Sequence, residues 1–244
     1  NRRSRGLGDV YKRQLRSSIG PDGLHAEMGL MRRNTFQMPF ARIHLTVWRS
    51  NWIRRKLGFE TLEVRQAQAQ SGTQGGVRVF LPAMEPSHRT ILENALYGDM
   101  GQGAVMELLP VRRLRWLLWA FSALPAGLFW LSLNPLTAAL ATALWLWVTA
   151  ATTARRFASL RMTVFRDTIV LEKGWFWRQR TLLRMAQIQG IEWERHVFLE
   201  RRSIGHVVFH TAAGARRFPY VQKDQGEALR DFALSQHHAR NSRA

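Results

Sequence analysis

The sequence predicts a mixed α and β membrane protein. Two small β-barrel or sandwich domains, each capped by a C-terminal helix, are linked by a transmembrane α-helical hairpin. Three observations predict this. A run of thirty-nine uncharged residues, Trp116 to Ala154, is interrupted by Asn134-Pro135. Residues 15–64 and 160–209 align at a constant offset of 145 without a gap. In both copies short strand-like runs alternate with turn residues, and a helix pattern follows.

The chain has 244 residues and no cysteine, which excludes disulfides and thiol chemistry and agrees with a reducing compartment. Its net charge of +19 invites a nucleic-acid reading, but the excess is unevenly placed. Residues 15–111 hold eleven basic against eight acidic residues, and residues 157–236 hold thirteen against eight. Much of the rest sits in the first fourteen residues and beside the uncharged run. Membrane topology and attraction to anionic lipid account for those flanks, so no nucleic-acid partner is expected.

Residues 1–14, "NRRSRGLGDVYKRQ", begin without methionine and show neither helical nor strand periodicity. "RGLGDVYKRQ" looks like translated adapter sequence, so this leader is expected to be non-native; the alternative is a genuine basic arm. Its "GLG" is no dinucleotide fingerprint, because no strand precedes it.

The first domain is expected over 15–98. "LRSSI" (15–19) and "LHAEM" (24–28) flank the turn signal "GPDG", and "IHLTVWR" (43–49), "TLEVRQA" (61–67) and "VRVFLP" (77–82) are further strands. "PSHRTILENALYG" (86–98) closes it as a helix. Ser87 is the expected cap, Ile91, Leu92 and Ala95 the inward face, and Gly98 the stop. Residues 99–113 read as a linker.

The hairpin is expected over 114–154. One helix of thirty-nine residues would span roughly 58 Å at 1.5 Å per residue. A bilayer core is about 30 Å thick and needs about 20 residues. Two spans fit, about Leu114–Ser132 and Leu136–Ala154, with "LNPL" as the tight tip. The alternative is a pair of buried helices in a soluble protein, but the apolar surface shows no polar stripe. Arg112, Arg113 and Arg115 precede the run, and Arg155 and Arg156 follow it. Basic flanks stay on the cytoplasmic side, which puts both domains in the cytoplasm beneath a multi-pass bacterial inner-membrane protein.

The second domain is expected over 157–236. "LRMTVF" (160–165), "TIVLEK" (168–173), "RQRTLL" (178–183), "IQGIEWER" (188–195), "IGHVVFHT" (204–211) and "RRFPYV" (216–221) read as strands. "KDQGEALRDFALSQ" (223–236) reads as a helix with Asp224 as cap and Leu229, Phe232 and Ala233 on one apolar face. Residues 237–244 are expected to be a disordered tail. Nine positions are identical between the copies, among them Trp48 and Trp193, against roughly three expected by chance for ordinary composition.

Two stretches, "GLMRRNTFQMPFARIHLTVWRSNWIRRKLGFETLEV" (29–64) and "GWFWRQRTLLRMAQIQGIEWERHVFLERRSIGHVVF" (174–209), resemble the membrane-flanked bacterial pleckstrin-homology-like domain family of the YdbS/YdbT type. In that family a strand after a glycine leads to an "RI" or "QI" step, a short "LxRLLG"-like segment and another strand. "IRRKLGFETLEV" (53–64) follows the pattern, whereas "FLERRSIGHVVF" (198–209) has Ser203 where glycine is usual. The resemblance covers about 15–98 and 157–236. It implies a C-terminal fragment with two interaction modules around a hairpin, serving as a scaffold beside a related membrane protein, in envelope defence. No cofactor is expected.

No catalytic constellation is visible. His206 and His210 share one face of a strand but would lie about 13 Å apart, too far for one metal ion. Glu192 and Glu194 alternate along a strand without a visible acid–base partner, and no serine sits in a nucleophile elbow. No enzyme is expected. The candidate site residues are basic: Arg54, Arg55 and Lys56, matched in the second copy by Arg201 and Arg202, together with Arg112, Arg113, Arg115, Arg155 and Arg156. They are either a solvated surface or contacts to anionic lipid headgroups. Two function classes therefore stand: a scaffold that binds a protein partner, or a module that binds or handles anionic lipid.

Overall fold

The computed structural model of the protein describes residues 15–19, 23–28, 34–66, 78–106, 134–194 and 203–241. The first repeat consists of β1 (Leu15–Ile19), β2 (Gly23–Met28), β3 (Asn34–Pro39), β4 (Ile43–Asn51), α1 (Trp52–Lys56), β5 (Glu60–Gln66), β6 (Arg78–Met84) and α2 (Pro86–Tyr97). β7 (Ala104–Met106) and α3 (Pro135–Ala158) follow. The second repeat consists of β8 (Arg161–Val164), β9 (Thr168–Lys173), β10 (Trp177–Arg184), β11 (Ile188–Glu194), β12 (Ile204–Thr211), β13 (Arg216–Gln222) and α4 (Lys223–Asn241). The offset of 145 holds in three dimensions. It carries β2 onto β9 residue for residue, and the 3-10 turn Phe40–Arg42 onto Met185–Gln187.

Each repeat is built from two three-stranded antiparallel units, and one unit from each repeat is fused across a seam. The central sheet runs β6-β5-β4-β10-β9-β8-β7, and β1-β2-β3 and β11-β12-β13 form the outer sheets. At the seam β4 pairs antiparallel with β10, from Trp177 opposite Asn51 to Leu183 opposite Leu45. The two repeats are therefore not separate bodies on either side of a hairpin.

Strand periodicity explains how one sheet serves two cores. On β4, Leu45 and Val47 join the core of the second repeat with Met162, Phe209, Phe218 and Leu229, while Trp48 joins the core of the first. In return Val170 and Leu182 of the second repeat pack with Leu24, Leu62, Leu81 and Leu96. Burying a Val or Leu side chain contributes about 1.5–3 kcal/mol, so these four exchanged residues make each core depend on the other repeat.

Several expectations are corrected. β3 was not expected as a strand; its Asn, Gln and Pro residues are weak strand formers, and pairing with β2 overrides that. Part of the expected linker 99–113 is β7, which covers the edge of β8. α2 begins with Pro86 at its first position, so Ser87 lies inside the helix and does not cap it. Its buried face is Leu92, Glu93 and Leu96, whereas Ile91 is 60 % exposed and Ala95 is also exposed. Arginines draw Glu93 inward and turn the helix. Gly98, at φ 72°, does end it. α4 begins at Lys223, so Asp224 sits in its first turn. The helix continues through 237–241, part of the expected disordered tail, because no glycine or proline stops it there.

α3 is the second expected span, extended through Arg155 and Arg156 to Ala158. Pro135 occupies its first turn, and the Thr137 hydroxyl donates to the Asn134 carbonyl, so Asn-Pro initiates the helix. Its 24 residues rise roughly 36 Å. It is the one helix among the described residues long and apolar enough to cross a membrane. Leu136, Leu140, Leu144 and Trp147 on it are exposed. The first expected span, 114–132, and the leader lie outside the described residues.

Candidate functional site

Arg54, Arg55 and Lys56 form the last turn of α1, at the end of the seam where β4 turns toward β5. Asn51 caps this helix, its side-chain oxygen accepting from the Arg54 backbone N–H at 2.7 Å. Gly58, at φ 72°, turns the chain into β5. Arg54 is tied down by a 2.6 Å hydrogen bond from its guanidinium to the Thr61 hydroxyl. Arg55 reaches across to the second repeat and donates to the Trp175 carbonyl at 3.2 Å.

Trp175 belongs to the turn between β9 and β10. Gly174 holds that turn at φ 91°, where a Cβ would collide with the Trp177 carbonyl. The turn projects Trp175, Phe176 and Trp177, with Phe176 4.7 Å from Trp177 and 6.0 Å from Trp52 of α1, centroid to centroid. Lys56 lies over the Trp52 ring at 5.3 Å. Trp52, Ile53, Leu57, Trp175, Phe176 and Trp177 are all exposed, Trp177 to 70 %.

The foot of α3 meets this cluster. The Arg155 guanidinium lies 5.0 Å from the Trp175 ring centre. Phe157 packs on Tyr220 of β13 at 5.4 Å, which roots the helix in the second repeat. Beside the foot a cavity of about 320 Å³ opens onto the seam, lined by Ala158 and Ser159 of the helix end, Trp48 and Arg89 of the first repeat, and Lys173 and Arg178 of the second. Burial holds the Lys173 amine below its ordinary range, and Arg216 and Arg49 add to this. Glu60 and Glu172 also line the cavity, so charged groups of both signs and from both repeats meet there.

The structure brings Arg54, Arg55, Lys56 and Arg155 to one surface, with Arg156 in the same helical turn as Arg155. Arg112, Arg113, Arg115, Arg201 and Arg202 lie outside the described residues. The remaining candidate chemistry resolves into local pairs. His210 Nε2 is 2.8 Å from Glu192 Oε2, Glu194 pairs with Arg217 at 2.7 Å, and His206 meets Tyr220 edge-on with ring centres 5.4 Å apart. Among the described residues no group of three or more metal-ligating side chains converges. Charge and periodicity do not mark the exposed aromatics in the sequence. The available signal was "GWFW" (174–177), three aromatic residues at a turn, where polar residues are usual.

The bacterial PH domain family matches residues 10–96 and 108–237, one match for each repeat. No curated protein matches the chain. Each matched stretch contains one copy of the fold, the second also taking in α3, and together they cover most of the sequence: the chain belongs to the bacterial PH domain family and carries the domain twice.

Proposed function

We propose that the chain is a membrane-anchored, non-enzymatic interaction protein. Its two PH-like repeats act as one scaffold on the cytoplasmic face of the bacterial inner membrane, bound to a related membrane protein. The observation that carries this reading is α3, an apolar and outward-facing helix whose basic end is rooted at the seam between the repeats. Its basic turn favours the cytoplasmic side by the positive-inside rule. The expected first span would complete a hairpin, and the family resemblance extends the role to envelope defence.

Two measurements test this. Asn134→Cys should be labelled by an impermeant thiol reagent in intact cells, while Gly214→Cys stays silent; the reverse pattern refutes the topology. Affinity purification of the full chain from native membranes should return a stoichiometric membrane protein. Recovery of a specific anionic lipid with no protein would favour a lipid-handling module instead.

A further inference from the structure

We propose that Trp52, Ile53, Leu57, Trp175, Phe176 and Trp177 form an aromatic crown that seats in the headgroup layer of an anionic bilayer, beside the foot of α3. This rests on the reading that α3 crosses the membrane.

The crown is an exposed apolar surface assembled from two distant segments. α1 supplies one half and the turn after Gly174 the other, and the β4–β10 seam brings them together. Large side chains at such tips normally avoid water, and contiguous exposed apolar patches mark interaction sites. Tryptophan prefers the membrane–water interface, where its ring is buried and its N–H stays wet.

Charge selects the bilayer face. Arg54, Arg55 and Lys56 stand behind the rings on α1, Arg178 follows the turn, and Arg155 rests on Trp175. Burial first, then the neighbouring Arg178, lowers the Arg55 pKa, and Glu60 opposes both. Glu60 is itself engaged by Arg89 at 3.6 Å. A cationic collar around aromatic rings matches anionic headgroups, each nearby Lys or Arg contributing about 1 kcal/mol.

Position selects lipid over a protein partner. Arg155 ends the uncharged part of α3 and so marks the bilayer surface, and Trp175 touches it. A crown in contact with that residue lies at headgroup depth. Seating it would fix the central sheet against the membrane at a second point, so that the repeats cannot swing about the helix.

The chain has no cysteine, so single-cysteine variants report one position each. The full chain is reconstituted in phosphatidylcholine vesicles, with or without phosphatidylglycerol, and carries an environment-sensitive fluorophore at Leu57→Cys, Leu144→Cys or Gly214→Cys. Nitroxide lipids are the quencher. Leu144 on α3 tests the anchoring itself. Gly214 is the control: it follows β12 where Thr211 pairs with Ile188, at the end of β10 away from Trp177. The expected result is strong quenching at 144, clear quenching at 57 by a headgroup-level nitroxide, and none at 214. Quenching at 57 should fall by at least half without phosphatidylglycerol or at high salt. Quenching at 144 without quenching at 57 overturns the crown and leaves the anchor standing. Absence at 144 overturns the anchor and the crown with it. Equal quenching at 57 in neutral and anionic vesicles overturns the anionic requirement. Shielding of position 57 in native membranes without quenching in protein-free vesicles assigns the crown to a protein and also overturns the proposal. Unchanged unfolding of each labelled variant confirms that the label reads position.

Discussion

Arg180 of the second repeat crosses the seam to Glu93 of the first, with 3.0 Å between Nη2 and Oε2. The same guanidinium holds Glu172 at 2.7 Å, and Arg89 supports Glu93 from its own helix at 3.1 Å. Beside this network the Tyr97 hydroxyl donates to the Leu182 carbonyl at 3.3 Å and lies 2.5 Å from Thr46 Oγ1. Helix α2 therefore contacts both repeats, and its polar groups bridge the seam.

Arg180→Ala should destabilise the full chain by about 1.5–3 kcal/mol, the range for hydrogen bonds to charged groups. Arg89 still partners Glu93, which keeps the loss below that of an isolated buried charge. Urea unfolding in detergent measures it. A change under 0.5 kcal/mol would show that the crossing contact is solvated and contributes little.

Residues 15–98 alone should not behave as an independent domain. Without β10, strand β4 presents an unpaired edge and bares Leu45 and Val47. Gel filtration should find oligomers or aggregates, and co-expression with 157–241 should shift the material to a defined complex. A monodisperse fragment with cooperative unfolding would contradict the seam.

Ser203→Gly should stabilise the protein by about 1 kcal/mol, since a non-glycine residue in the left-handed region costs about 1–2 kcal/mol and glycine's unfolded-state entropy returns part of it. Ser203 sits at φ 53°, at the position matching Gly58 under the offset of 145. The turn is kept because the Ser203 carbonyl accepts from the Lys223 backbone N–H at 2.7 Å and ties it to the start of α4. Thermal unfolding of the pair checks this; a lower midpoint for the glycine variant would mean that the hydroxyl has a role of its own.

His44 gives a pH dependence. Burial first, then Arg184, holds its imidazole pKa below the ordinary 6.5. The folded state thus binds its proton less readily than the unfolded chain. The associated stability is present above pH 6.5 and is lost as pH falls through the lower folded value. Between pH 7.5 and 5.5 the wild type should lose more stability than His44→Gln, as read by urea midpoints. Equal losses would place the acid sensitivity elsewhere.

The repeat, most strands and α3 were legible because periodicity and offset are local properties. The seam was not: alternation in "IHLTVWR" puts Leu45 and Val47 on the face opposite Trp48, but it does not say that the other repeat covers that face. β3 offers only Thr35 and Phe36 as strand formers beside Asn34, Gln37 and Pro39, and the inward turn of Glu93 needed Arg180, 87 residues away. The basic residues of α1 were found by charge. The exposed aromatics carry no signal of charge or periodicity, because the exposure of Trp175, Phe176 and Trp177 depends on the turn at Gly174 and their meeting with Trp52 on the seam.

Gly226→Ala separates helix propensity from packing. Within α4 alanine is favoured over glycine by about 0.8–1 kcal/mol, so the local rule predicts stabilisation. The Trp193 indole reverses the sign. It lies between Gly205 of β12 and Gly226 of α4: a Cβ at 226 would come 2.1 Å from ring atom Cζ3, and one at 205 would come 2.5 Å from Cε2. The ring cannot yield toward either side, because the opposite wall is equally close. The helix must lift, which loosens Leu229 from the second core. Overpacking of this kind costs about 1–3 kcal/mol, enough to exceed the helical gain. Gly226→Ala should therefore lower the unfolding midpoint, and adding Trp193→Leu should return part of the loss by making room. Stabilisation by Gly226→Ala alone would show that the indole is not clamped and that α4 rides on the sheet with space to spare.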